Sequence, residues 1–208
     1  RTIILQIELV NIEKKFNNEL LFSKVNHTFK SPSKTALLGI NGSGKSTLLQ
    51  IISGYLSPSR GEIKYLLNGQ CLSKEEIFNQ VSICAPYLDL IEEMTLIEFF
   101  EYHFAFKKRV MNINDIIGYI GLESSKNKLI EKYSSGMKQR VKLAQAFFSE
   151  SPILLLDEPC TNLDEDGFGL FDKLMNDFSA HRIVIMASND AAESKHCDEE
   201  YYIKDFNK

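Results

Sequence analysis

Apolar residues recur along this chain in two rhythms, and the change from one to the other divides it. The first third carries short β-branched and apolar runs broken by turns: IILQIELVNI at 3–12, VNHTF at 25–29 and KTALLGI at 34–40. Runs of this kind predict strands. Helical spacing takes over in KSTLLQIIS at 45–53, with Gly54 placed to end it. GEIKYLL at 61–67 and QVSICA at 80–85 return to strand character. From about residue 88 to 150 the period is helical. Thr95 and Glu98 form a T-x-x-E capping box ahead of LIEFFEYHFAFKK, where Ile97, Phe100 and Phe104 share one face. INDIIGYIGL and GMKQRVKLAQAFFS read as two further helices, the second with Met137, Val141, Ala144 and Phe148 on one stripe. Two unbroken apolar runs then flank a helix carrying Phe168, Phe171, Met175 and Phe178: PILLLDEP at 152–159 and RIVIMAS at 182–188. Strands apolar on both sides predict a parallel sheet covered on both faces, and hence an α/β fold.

One turn in this pattern carries chemistry. GINGSGKST at 39–47 has the spacing Gly39-x-x-x-x-Gly44-Lys45-Ser46, with a predicted strand before it and a predicted helix after it. Glycines there let successive N–H groups turn toward phosphate oxygens. The backbone and side chains of Asn41, Gly42, Ser43, Gly44, Lys45, Ser46 and Thr47 are the candidate cradle for a nucleoside triphosphate, though the loop alone does not say which kind of NTPase this is. Lys45 is placed to reach the β- and γ-phosphates, and the Ser46 hydroxyl to ligate Mg²⁺. At the end of the run PILLLDEP, Asp157 is the candidate magnesium carboxylate, and Glu158 the group that polarises an attacking water. The plainer alternative is that Asp-Glu-Pro ends a strand, since Pro159 cannot continue one in a sheet interior. YSSGMKQR at 133–140 looks like a second anion-binding helix N-terminus, with small residues where an anion would approach.

Composition narrows the setting. The 208 residues are 44% hydrophobic and 25% charged, with formal net charge −4, which argues against broad nucleic-acid binding. Cys71, Cys84, Cys160 and Cys197 show no C-x-x-C pairing, which points to a reduced, cytosolic protein rather than a disulfide or zinc framework. His196-Cys197 reads as a surface pair. No apolar stretch approaches the roughly 20 residues of a membrane span. The chain starts at Arg1 rather than Met and shows no signal-peptide pattern, which suggests trimming.

With these motifs in this order, the chain resembles the nucleotide-binding subunit of ABC transporters over essentially its full length. GINGSGKS corresponds to Walker A, ILLLDE to Walker B, TNLD to the D-loop and YSSGMKQR to the ABC signature. The resemblance implies a P-loop NTPase fold: a mostly parallel core at about 1–87 and 151–208, an antiparallel β subdomain, and an inserted helical subdomain at about 88–150. It implies a head-to-tail homodimer, or a pairing with a related ABC subunit. Ser134, Ser135 and Gly136 would then contact the partner's ATP, and Asp164 would cap a helix or point away from its own subunit. It places Phe16, in the loop after the first strand, against the adenine, with core packing as the alternative. It implies an ATPase driving a separate membrane permease from the cytoplasmic side, bound peripherally at the inner face of the membrane. A soluble ABC-type ATPase or a nucleotide-controlled assembly module is the competing reading.

Three departures qualify the resemblance. Ser135 and Met137 replace a glycine and a glutamine of the signature, and Lys138 and Gln139 read as its solvated face. The Q-loop glutamine is missing, its place falling on Pro86 or Tyr87. Asn189 stands where the switch histidine is expected; it can donate a hydrogen bond to a γ-phosphate but cannot titrate near neutral pH. A slow ATPase is the expectation.

Overall fold

The computed structural model describes residues 4–17 and 19–203, so Arg1 and the first residue of the run IILQIELVNI lie outside the described residues. In chain order the first elements are strands β1 (Leu5–Phe16), β2 (Glu19–Lys30) and β3 (Ser33–Leu38), then helix α1 (Lys45–Ile52). Strands β4 (Arg60–Leu67) and β5 (Gln70–Cys71), helix α2 (Lys74–Gln80) and strand β6 (Val81–Cys84) follow. Next come helices α3 (Leu96–Phe106), α4 (Ile113–Tyr119) and α5 (Ser135–Phe147), with two short 3₁₀ turns between the last two. Strand β7 (Ile153–Asp157), helix α6 (Glu165–Phe178), strand β8 (Ile183–Ala187), helix α7 (Ala191–Ser194) and strand β9 (Glu199–Tyr202) complete the described chain.

Two sheets result. β2, β1, β4 and β5 form an antiparallel sheet in that order, and β6, β7, β8, β3 and β9 form a parallel one. Every residue of β7 and β8 is buried, as two covered faces require. Their side chains alternate between two cores. Leu154, Leu156, Val184 and Met186 pack with α3 to α6, while Ile153, Leu155, Ile183 and Ile185 pack with α1 and the antiparallel sheet. Both halves of the fold therefore close on the same pair of strands.

The capping box of α3 is formed as the sequence predicts: Glu98 N–H donates to Thr95 Oγ1 at 3.3 Å, and Thr95 N–H to Glu98 Oε2 at 2.8 Å. Phe100 and Phe104 are buried beneath it, and Ile97 packs at the edge of the same cluster. Several expectations are corrected. The first strand runs on to Phe16, which ends β1 instead of lying in the loop beyond it. α2 has its own capping box, Ser73 with Glu76, unnoticed because its helix spans only Lys74–Gln80 and presents no long apolar stripe. β9 is the sequence EEYY at a sheet edge, too polar to read as a core strand. His196 is no surface group: its Nε2 lies 2.6 Å from Asp172 Oδ1 and its ring meets Phe171 edge-on.

A buried histidine in the helical part sets an acid limit. His103 stacks along Phe99, and its Nε2 lies 3.1 Å from Ser149 Oγ. Burial lowers it to about 4, and the charge of Lys107 adds to the effect. The unfolded imidazole titrates near 6.5. Between those values the unfolded state binds more protons, so stability is lost as pH falls through that window. We expect His103 to account for about 2–3 kcal/mol of the stability lost on acidification from pH 7 to pH 4. Denaturant unfolding followed by circular dichroism should show His103→Gln flattening that limb; an unchanged pH profile would contradict the assignment.

Candidate functional site

The register of the parallel sheet assembles the site. Leu37 of β3 pairs with Ala187 of β8, and Ala187 pairs with Asp157 of β7, so three strands end in one row. Beyond that row lie the Gly-rich loop after β3, the Asp157-Glu158 pair and Ser188-Asn189. Carboxyl ends of parallel strands are where α/β sheets bind ligands.

Within the loop, Gly44 has φ of 102°, and a Cβ there would come within 2.9 Å of Phe22 and 3.0 Å of Leu21 on β2. Only glycine fits both the angle and the space. Lys45, 5% exposed, curls its Nζ back to Gly39 O at 2.7 Å and Ile40 O at 3.4 Å. Burial pulls its pKa down, and the charges of Glu158 and Asp157 oppose that pull. Ser46 Oγ donates to Asp157 Oδ1 at 3.0 Å, which brings the two sequence-predicted magnesium ligands together. Burial lifts Asp157 to about 6 against the hydrogen bond from Ser46; a cation beside it would favour the charged form. Asn189 Nδ2 donates to Asn41 Oδ1 at 2.5 Å, tying the segment after β8 to the loop. A cleft of about 450 Å³ opens here, lined among others by Asn41, Glu158, Thr161, Ser188, Asn189 and Glu193.

The remaining predicted residues fall elsewhere. Ser134 caps α5, its Oγ accepting from Met137 N–H at 3.2 Å, and both Ser134 and Ser135 are exposed. Tyr133 beneath them is buried, its hydroxyl donating to Ser125 O at 2.8 Å. α5 packs against α3, α6 and β6, and β7 and β8 separate β6 from β3. The signature segment and the Gly-rich loop thus belong to different sides of one sheet. Asp164 caps α6 through Gly167 N–H at 2.8 Å and accepts from Arg140 at 3.2 Å. Phe16 is 48% exposed with Lys14 Nζ 4.8 Å from its ring centre, so it is not a core residue.

Gln139 overturns its sequence reading. It is buried, with Nε2 donating to Pro159 O at 2.6 Å and reaching Cys84 Sγ at 3.7 Å. Its spacing from Leu143 and Ala146, four and seven residues on, was a signal: it shares their buried stripe. Glu193, buried and accepting from Cys160 N–H at 2.8 Å, gave no such signal. At the Q-loop position, Tyr87 is 36% exposed, and the buried part of its ring together with the charge of Asp157 raises its hydroxyl's pKa. Pro86 offers only its carbonyl, taken by Lys142 Nζ at 3.1 Å.

The model of the ABC transporter family matches residues 22–161, spanning the Gly-rich loop, the signature segment and Asp157-Glu158. This chain belongs to that family. It is 32% identical to an uncharacterized ABC transporter ATP-binding protein of Bacillus subtilis, YybJ, over 88% of this chain and 85% of that protein. It is 30% identical to the spermidine/putrescine import ATP-binding protein PotA of Spiroplasma citri over 76% of its length, and spans 46% of that longer relative. A dimeric ATP-binding cassette, solved in a post-hydrolysis state with ADP and Pi, superposes with TM-score 0.77 at 24% identity, covering 94% of this chain and 93% of that one. As the ABC family's ATP-binding component, this chain is an ATPase with a P-loop fold. Among the described residues no helix is long and apolar enough to cross a membrane.

Because Gly44 meets both a positive φ and a crowded wall, Gly44→Ala should weaken ATP binding by at least about 10-fold, from a backbone cost of about 1–2 kcal/mol plus displacement of Phe22 and Leu21. Titration with a fluorescent ATP analogue measures it; wild-type affinity would mean that the loop does not set the site.

Proposed function

We propose that two copies of this chain, or this chain and a related ABC subunit, close head to tail around ATP and drive a membrane permease from the cytoplasmic side. The observation that carries this reading is the placement of two anion sites on opposite sides of one sheet. One is the loop around Lys45; the other is Ser134–Gly136, with both serines exposed, at the start of a helix packed at β6. A single subunit offers its signature outward, where only another subunit's phosphate meets it. The roles are read on one cassette spanning 1–208, with a core at about 1–87 and 151–208 and a helical arm at about 88–150.

Lys45 neutralises the β- and γ-phosphates, and the N–H groups of residues 41–47 surround them. Ser46 and Asp157 present a hydroxyl and a carboxylate 3.0 Å apart, hard oxygen donors suited to Mg²⁺, which keeps one or two protein ligands and completes its shell with phosphates and water. The magnesium ion would supply charge neutralisation between the phosphates. Glu158 lines the cleft and accepts a proton from the attacking water. Asn189 donates to the γ-phosphate, exchanging its present partner Asn41 for it. Phe16 offers the ring face not covered by Lys14 to the adenine, a stacking contact of about 1–3 kcal/mol. Asp164, held by Arg140, lies on the exposed side that faces the partner.

An asparagine cannot act as an acid or base near neutral pH, a role that contributes about 10²–10⁴-fold where it exists, so turnover is slow. Glu158→Gln should lower kcat by at least about 10²-fold and leave ATP affinity intact. Loaded with ATP, the same variant should elute as a dimer in size-exclusion chromatography with light scattering. Unchanged turnover would remove Glu158 from its role, and a monomer at high protein concentration would remove the head-to-tail dimer.

A further inference from the structure

Glu158 has φ of 45°, in the left-handed region, which is unfavourable for a residue with a side chain. Surrounding contacts must hold it there. Its own N–H donates to Ala187 O of β8 at 2.9 Å. The next residue, Pro159, has its carbonyl bound by Gln139 Nε2 at 2.6 Å, and the one after, Cys160, donates its N–H to Glu193 Oε1 at 2.8 Å. Three consecutive residues are therefore fixed from three different elements: β8, α5 and α7.

The two side chains in this set are unusual for where they are. Gln139 is 6% exposed and Glu193 is 4% exposed, although glutamine and glutamate are seldom buried without a specific partner. Neither is demanded by the solubility or the propensity of its helix. Each instead addresses the backbone immediately after Glu158. Glu193 stands on the helix that follows Asn189, so its bond to Cys160 N–H ties the post-β7 loop to the post-β8 segment.

We infer that Gln139 and Glu193 are positioning residues for hydrolysis: by gripping Pro159 O and Cys160 N–H they aim the Glu158 carboxylate into the cleft. The inference rests on the reading of Glu158 as the group that accepts the water's proton. Gln139 makes its bonds to Pro159 and Cys84, away from the phosphate loop, so ATP binding is independent of it, whereas Glu193 lines the cleft and its charge bears on Asp157. Misaiming a catalytic group by about 1 Å costs on the order of 10²-fold in rate, which sets the scale of the effect.

The experiment compares Gln139→Leu, Glu193→Ala and Glu193→Gln with Glu158→Gln, measuring kcat, affinity for a fluorescent ATP analogue, and melting temperature. Gln139→Leu keeps the volume and removes the donor. Glu193→Gln keeps an oxygen that can accept from Cys160 N–H. Expected are kcat losses of about 10- to 100-fold in Gln139→Leu and Glu193→Ala, ATP affinity within about two-fold of wild type in Gln139→Leu, and recovery of most of kcat in Glu193→Gln. The inference is overturned if Glu158→Gln stops turnover but Gln139→Leu and Glu193→Ala keep wild-type kcat. It is overturned equally if kcat and ATP affinity fall together in Gln139→Leu, or if Glu193→Gln is as slow as Glu193→Ala. Should Gln139→Leu fail to fold, the two Glu193 variants decide. Wild-type turnover in Glu158→Gln would instead sink the underlying assignment of Glu158, a distinct result.

Discussion

Everything functional in this chain depends on one row of backbone pairing. Leu37, Ala187 and Asp157 stand side by side across β3, β8 and β7, so three segments distant in sequence begin at the same height above the sheet. The row is rigid because the strands beneath it are wholly buried, with residues alternating between two cores. A one-residue slip would exchange those two sets of side chains, carrying Leu154 and Leu156 to the α1 side and Ile153 and Leu155 to the helical side. Such a slip would also separate Ser46 from Asp157, which now lie 3.0 Å apart. Apolar packing thus sets the positions of the polar site, with no site residue needed to do so.

The charge at that site bears on the proposed pairing of ATP with a divalent cation. Asp157, Glu158 and Glu193 all approach the cleft, and burial raises both Asp157 and Glu193. Lys45, also buried, is pulled the opposite way by desolvation. A bare triphosphate would meet Lys45 but add its own negative charge beside the carboxylates. A triphosphate carrying a divalent cation brings the compensating charge to the Ser46–Asp157 pair, the hard-oxygen donors suited to receive it.

Local patterns carried much of this architecture into the sequence, and their reach marks what stayed hidden. The phosphate loop, the α3 capping box and the β7 and β8 runs were legible because each is a short-range rule: a spacing, a cap, a run of apolar residues. Gln139 was misread because a glutamine in a basic segment looks solvated; its burial is decided by Pro159, twenty residues later and on another element. Glu193 was invisible for the same reason, since its partner Cys160 lies across the cleft. Phe16 was placed one element too far along, because a strand edge and a hairpin turn share the same polar flanks, but its exposure excludes the core-packing alternative. What the sequence hid is the set of long-range polar contacts that aim the chemistry.

The departures from the family pattern share a physical sense. Ser135 keeps a small side chain and a backbone N–H where a glycine is usual. At position 136 the space is tighter: a Cβ would come within 3.1 Å of Asn162 O in the D-loop segment, so that segment would have to give by a few tenths of an ångström. Asn189 keeps a donor directed at the phosphate loop, shown by its contact with Asn41, and gives up only titration. Tyr87 keeps a polar group close enough to Asp157 for the carboxylate to help raise its pKa. At Asn189 and Tyr87 hydrogen-bonding capacity survives while acid–base or metal-ligating capacity is reduced; Met137, in place of a glutamine, loses its donor. Binding ATP and closing on a partner require the first property; rapid hydrolysis requires the second. On the proposed head-to-tail reading, a nucleotide that binds well and turns over slowly would prolong the closed state, and these substitutions would shift the cycle toward the bound dimer without altering the scaffold.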